Sequence, residues 1–174
     1  MNRHVRLGIN IDHVATLRNA RGGDTPKVIE AAKVVEESGA DLITVHVRED
    51  RRHINEKDLG NILNTVNIPV NLEIAANSEM IDIAINYHPK FVCFVPENRK
   101  EITTEGGLDV INNFKELNKV LKSITDTEIN VSIFIDPDKE QIKAVNDLGI
   151  STVEFHTGPY LSLIHISEPT RRTS

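Results

Sequence analysis

The chain has one cysteine in 174 residues, no apolar run near the ~20 residues of a membrane span, and no surplus of basic charge. Each shortage excludes something. One cysteine forms no internal disulfide, which suits a reducing cytoplasm. Cys93 lies in the apolar run FVCFVP, the setting of a buried structural thiol; a nucleophile would need electropositive, partly exposed surroundings. The opening MNRHVRLGIN lacks the apolar stretch of a signal peptide. A formal net charge of −6 gives no global field toward nucleic acid or an anionic membrane, so basic residues need local explanations. Low-complexity stretches and linkers are missing as well. A composition of 39% hydrophobic and 26% charged residues is that of a soluble, cytoplasmic, single-domain globular protein.

What is present is one alternation, repeated. The runs 5–11, 41–47, 69–75, 91–95, 129–135 and 152–156 read as strands. Between them, 26–39, 57–66, 78–88, 107–124 and 139–149 carry helical spacing, with Ser78 a candidate N-cap and Gly39 and Gly149 closing signals. Residues 12–23, rich in arginine and glycine, read as a loop. Six strands alternating with helices predict an α/β fold with a parallel sheet and right-handed crossovers.

An open doubly wound sheet and a TIM (β/α)8 barrel compete for this pattern. The first turn, NIDHVATLRNARGG, has no G-x-G-x-x-G fingerprint of a dinucleotide-binding sheet. Polar residues separate the two further, because side chains alternate faces along a strand. Asn10 and Asp12 share a parity, as do Thr44, His46 and Arg48, then Asn71 and Glu73, then Glu154 and His156. Each group stands at the C-terminal end of its strand, where a barrel gathers its catalytic mouth. The pattern therefore favours a barrel of which about six of eight βα units are present.

Within ITVHVREDRRHI (43–54), His46 is an acid/base candidate, with Arg48 and His53 as anion binders; REDRR alone reads as a solvated charged loop. Glu73 and Glu154, on inward strand positions, are either structural partners of arginine or general bases tuned by burial. Arg18 and Arg21, beside glycines, suit a phosphate. In TTEGGLDV (103–110) the two glycines before a helix allow an anion cradle, or Thr104 or Asp109 simply caps the helix. Metal-dependent hydrolase barrels carry H-x-H on their first strand. No two histidines here are two residues apart, so no catalytic metal is expected.

The runs NIDHVATLRNARGG, GADLITVHVREDRRHI, NLEIA, VPENRKEITTEGGLDV, VSIFIDPD and VEFHTGPY together resemble the pyridoxine 5'-phosphate synthase family, in order, from about Leu7 to Tyr160. The resemblance implies a cytoplasmic barrel that assembles as a homo-octamer and needs neither metal nor organic cofactor. It implies condensation of 1-deoxy-D-xylulose 5-phosphate with 3-amino-2-oxopropyl phosphate to pyridoxine 5'-phosphate, phosphate and water. It further implies that His46 and Glu73 are proton acceptors and that Glu154 stabilises a transition state. Asp12, His13, Arg48, His53 and Thr103 would hold the deoxyxylulose phosphate, and Asn10 and Arg21 the amino-ketone phosphate. The segment around NRKEITTEGG resembles one that closes over substrate. A second metal-free phosphate-sugar barrel, an isomerase or aldolase, would use a Schiff-base lysine, and no lysine lies inside the six strands. A non-enzymatic barrel fragment is the third reading.

The family pattern stops after Tyr160. LSLIHISEPTR is similar to the in-frame translation of a transposase adapter used in preparing sequencing libraries, so residues 161–174 are expected to be a non-native tail and 1–160 a partial barrel. The family's proton-donor histidine and its glycine-rich phosphate grip would then lie outside the chain. The chain as written is expected to fold incompletely and to be inactive.

Overall fold

The structure, a computed structural model, describes residues 5–97, 106–158 and 160. The strands are β1 (Gly8–Asn10), β2 (Leu42–His46), β3 (Val70–Ile74), β4 (Phe91–Phe94), β5 (Asn130–Ile135) and β6 (Val153–Phe155). The helices are α1 (Asp12–Arg21) and α2 (Val28–Glu37), both between β1 and β2, then α3 (Glu56–Thr65), α4 (Ser78–Tyr87), α5 (Val110–Ile124) and α6 (Lys139–Asp147). The six strands form one parallel sheet in the order β1-β2-β3-β4-β5-β6.

That order decides between the two architectures. A doubly wound sheet reverses its strand order at a switch point. Here each new strand is laid on the same edge, and with right-handed crossovers every helix falls on the same face. Consecutive helices pack side by side along it. This is the winding of a (β/α) barrel, carried through six strands.

Strand parity divides the side chains as the sequence predicts. Ile43, Val45, Leu72, Ile74, Val92, Phe94, Ile133 and Ile135 are buried with Leu59, Ile62, Met80, Ala84, Leu117 and Val145 of the helices, forming the main core. The opposite parity carries the polar side chains in matched register: Thr44 beside Asn71, His46 beside Glu73, Glu73 beside Cys93, and Phe134 beside Glu154. Among the described residues no helix is long and apolar enough to cross a membrane.

Several local expectations are corrected. The stretch after β1 is helix α1, not a loop: Asp12 stands in its first turn, Arg18 and Arg21 in its last, and Gly22 closes it at φ 69°. Asp12 therefore opens a helix instead of ending a strand. Asn77, not Ser78, caps α4, its side chain accepting from Met80 N. REDRR is not a freely solvated loop. Arg51, at φ 52°, bonds the carbonyls of Arg48 and Glu49 and ion-pairs with Glu56 and Glu79, tying the loop to α3 and α4.

Before α5 the capping alternative prevails, since Asp109 accepts from Asn112 N. Gln141 Oε1 takes Val110 N and Asp136 Oδ1 takes Gly107 N, so those amides are not open to an anion. A Cβ on Gly107 would fall 2.1 Å from Asp136 N, which is why this close approach needs glycine.

Candidate active site

The site is built at the C-terminal ends of β1, β2, β3 and β6. At the end of β1, Asn10 and Asp12 lock each other: Asn10 Nδ2 donates to Asp12 Oδ2 at 2.9 Å, and Asp12 N donates to Asn10 Oδ1 at 2.9 Å. The other oxygen, Asp12 Oδ1, accepts the backbone N–H of His46 at 2.7 Å. A buried aspartate thus joins the start of α1 to the end of β2 and fixes where the imidazole leaves the backbone.

The His46 ring is held at Nε2 and faces a carboxyl at Nδ1. Nε2 lies 2.7 Å from Glu97 Oε1 and Nδ1 lies 3.8 Å from Glu73 Oε2. Glu73 is a largely buried carboxyl among other acids. Burial first, then the charges of Glu154 and Asp12, push its pKa up to about 8. The Glu154 carboxyl is raised by burial too, partly offset by a hydrogen bond with Cys93. Burial and then Glu154 push the Cys93 thiol up, so it stays protonated, as expected of a structural thiol. Cys93 nevertheless stands on the polar parity as a neighbour of Glu154, which its apolar sequence context does not announce.

His46, Arg48, Glu73 and Glu154 line one cavity of about 190 Å³ with Val95 and Phe134. The Arg48 side chain is buried; its Nε has no hydrogen-bond partner among the described residues and lies 3.8 Å from Asp50 Oδ1. Close by, Thr16 Oγ1 donates to the carbonyl of Asp12 and meets His53 Nδ1 at 2.7 Å. The His53 pKa is lowered by burial, so its ring is held neutral. His13, exposed in the first turn of α1, has its ring centroid 5.9 Å from that of His53.

The fold therefore brings Asn10, Asp12, His46, Arg48, Glu73 and Glu154 to one mouth, with His13 and His53 beside it. Arg21 is different. It stands exposed nine residues after Asp12 on the same helix, about 14 Å along the axis. Arg18 is taken by Asp58, which it grips with both terminal nitrogens at 2.6 and 2.8 Å. Thr103 lies outside the described residues, as does the tail 161–174.

Spacing within strands gave no metal signal, yet the fold brings ligand atoms of Asp12, His46 and Glu73 within 4.8 Å of one another across strands. The Asp12 oxygens are already engaged by Asn10 and by the His46 amide, and His46 Nε2 by Glu97. A cation there would compete with these bonds for the Asp12 carboxylate and would meet His46 through Nδ1. What the arrangement does offer directly is proton exchange: a carboxyl that titrates near 8 beside a histidine, within reach of a buried guanidinium.

Glu97 was not singled out from the sequence. The signal was available: residues 93, 95 and 97 continue the inward parity of β4, and Val95 lines the cavity.

The model of the family "Pyridoxal phosphate biosynthesis protein PdxJ" matches residues 7–173, a span that runs into the segment outside the described residues. The pyridoxine 5'-phosphate synthase of Rhodospirillum rubrum is 50% identical over 160 residues, covering 92% of this chain and 64% of that protein. The synthase of Zymomonas mobilis is 47% identical over 165 residues, covering 95% of this chain and 64% of that protein. The chain thus spans about 64% of the length of these curated relatives. Among solved structures, a mandelate oxidase superposes with a TM-score of 0.59 at 12% identity, over 86% of this chain and 55% of that one. That likeness is one of fold alone. On the family match and on relatives about half identical over nearly its whole length, the chain belongs to the pyridoxal phosphate biosynthesis protein PdxJ family.

Proposed function

We propose that the whole protein is a cytoplasmic pyridoxine 5'-phosphate synthase that condenses 1-deoxy-D-xylulose 5-phosphate with 3-amino-2-oxopropyl phosphate by acid/base catalysis without a metal. The observation that carries this reading is the pairing of His46 with a Glu73 carboxyl whose pKa stands at about 8, in a cavity shared with Arg48 and Glu154. Joining an amine to a ketone, losing water and expelling phosphate require protons to be given and taken repeatedly at one place. A carboxyl titrating near the working pH does both, and a neighbouring imidazole shares the load. Arg48, whose buried Nε–H has no hydrogen-bond partner among the described residues, supplies a donor that a phosphate oxygen satisfies. Asp12 and Asn10 hold the His46 backbone in register with that anion site.

His13, His53 and Thr103 join Asp12 and Arg48 on the deoxyxylulose phosphate, and Asn10 and Arg21 take the amino-ketone phosphate. Arg21 reaches it only if that substrate extends along α1. Glu154 steadies charge that develops across the cavity from Glu73. The assembly is a homo-octamer, and residues 161–174 are a non-native tail. Because the relatives are longer, the 174-residue chain on its own is expected to yield no detectable product.

The test uses the full-length protein, both phosphates as substrates, and pyridoxine 5'-phosphate and inorganic phosphate as the measured products. His46→Ala and Glu73→Gln each lower kcat by about 10²–10⁴-fold. Wild-type turnover in either variant removes that residue's role, and turnover by the 174-residue chain alone refutes its expected inactivity.

A further inference from the structure

The carboxylate that grips His46 has no role in the reading above. Its side chain is 4% exposed, and that of His46 is 8% exposed. Oε1 meets His46 Nε2 at 2.7 Å and Oε2 accepts Glu49 N at 3.0 Å, so both oxygens of Glu97 are committed to the segment that carries the histidine. Glu49 in turn accepts Asn77 Nδ2 at 2.7 Å, which anchors that segment to the cap of α4. At its other end the His46 amide is fixed on Asp12. A buried carboxylate is costly unless it is hydrogen-bonded. Burial alone would raise the Glu97 pKa, but the bonds from His46 and from Glu49 N outweigh it and hold the group below the ordinary carboxylate range.

We propose that Glu97 is a positioning residue for His46: as an acceptor-only carboxylate it fixes the neutral imidazole as the Nε2–H tautomer, leaving Nδ1 as the lone pair that faces Glu73. This rests on the reading of His46 as a proton-transfer group. The chemistry follows from the donor inventory. An ionised carboxylate cannot donate, so the 2.7 Å contact requires the proton on Nε2. With that proton engaged, only Nδ1 can exchange a proton with the reacting groups, and the Glu73 carboxyl lies on that side. The logic is that of an orienting acid behind a catalytic histidine.

The experiment is NMR of the full-length protein labelled with ¹⁵N-histidine, run beside steady-state kinetics. The wild type should show one slowly exchanging, downfield-shifted imidazole N–H that disappears in His46→Ala and in Glu97→Ala and persists in Glu73→Gln. Glu97→Gln, which keeps an accepting oxygen but no charge, should retain the resonance at a shifted position. In Glu97→Ala, kcat should fall about 10–100-fold with KM within about threefold, and Glu97→Gln should recover part of that loss. Should Glu97→Ala not fold, Glu97→Gln decides alone: a moved resonance supports the assignment and an unmoved one overturns it. A resonance indifferent to Glu97, or wild-type kcat in a folded Glu97→Ala, also overturns it. If the wild type makes no pyridoxine phosphate, the proposed function fails and the NMR arm still decides the pairing.

Discussion

Two regions of this molecule use the same residue types to opposite ends. Along the helical rim, charges are matched: Arg18 grips Asp58 with two bonds, Arg51 joins Glu56 and Glu79, and Arg52 meets Asp50. At the mouth of the sheet acids outnumber bases. Asp12, Glu73, Glu97 and Glu154 surround one histidine and one arginine, and the carboxyls of Glu73 and Glu154 stand above their ordinary range. Matched charges let a loop settle. Largely buried acids with raised pKa hold a protonation state that the fold pays to keep, a pattern that clusters at functional sites. Predictions that separate the two regions should therefore differ in sign with pH as well as in size.

The largest effect is expected at Glu73. Its pKa rises from 4.5 in the unfolded chain to about 8 in the folded one, so between those values the native state holds a proton that the unfolded state has released. Stability is therefore full below about 4.5 and falls as pH rises toward 8, by at most about 5 kcal/mol at ~1.4 kcal/mol per unit. Glu73→Gln removes this slope, and the variant should be more stable than wild type at pH 8.5 while losing turnover. Denaturant midpoints at pH 5 and 8.5 read both. Equal pH slopes for the two proteins would place Glu73 with the matched rim.

On the rim, removing an acid should instead weaken the fold. Asp58 closes the capping box of α3, accepting from Asn55 N at 3.2 Å, and receives both Arg18 bonds in a partly buried setting. Asp58→Ala removes a helix-terminal partner and strands a half-buried guanidinium. It should cost about 2–3 kcal/mol, with little change in catalytic rate. A calorimetric midpoint unchanged within error would show that this pairing does not hold α1 against α3.

How much of this contrast was legible in the sequence depends on the period of each signal. Six strands and five of the helices follow from apolar spacing. The two-residue alternation puts His46, Glu73 and Glu154 on one face, because register in a parallel sheet preserves parity. α1 was missed for a physical reason. Asn10 and Asp12 share parity and so read as one strand end, and Gly22-Gly23 read as a loop. The acid-first, base-last distribution of Asp12, Arg18 and Arg21 was the overlooked helix signal. The Asn77 cap was misplaced by one residue because asparagine and serine both cap well. Pairings such as Glu97 with His46, 51 residues apart, have no local spacing to betray them; parity carried three residues past β4 was the only trace.

The smallest expected effect tests whether a short distance alone identifies an important pair. Arg52 and Asp50 meet at 2.6 Å, and the Arg52 hydrogen bond, against some burial, holds the Asp50 carboxyl at about 2. Taken at face value that shift rivals the contribution of a buried pair. Both side chains, however, are about a third exposed, and water and salt screen what they gain from each other. Asp50 is lowered from 3.8, so any stability it lends is present above pH 4 and fades only as pH drops toward 2, well away from the window in which Glu73 acts. Arg52→Ala should change stability at pH 7 by no more than about 0.5 kcal/mol, and by less still in 0.5 M salt. A loss above 1 kcal/mol that survives high salt would mean that this rim pair is shielded as the mouth is, and that burial does not distinguish the two regions.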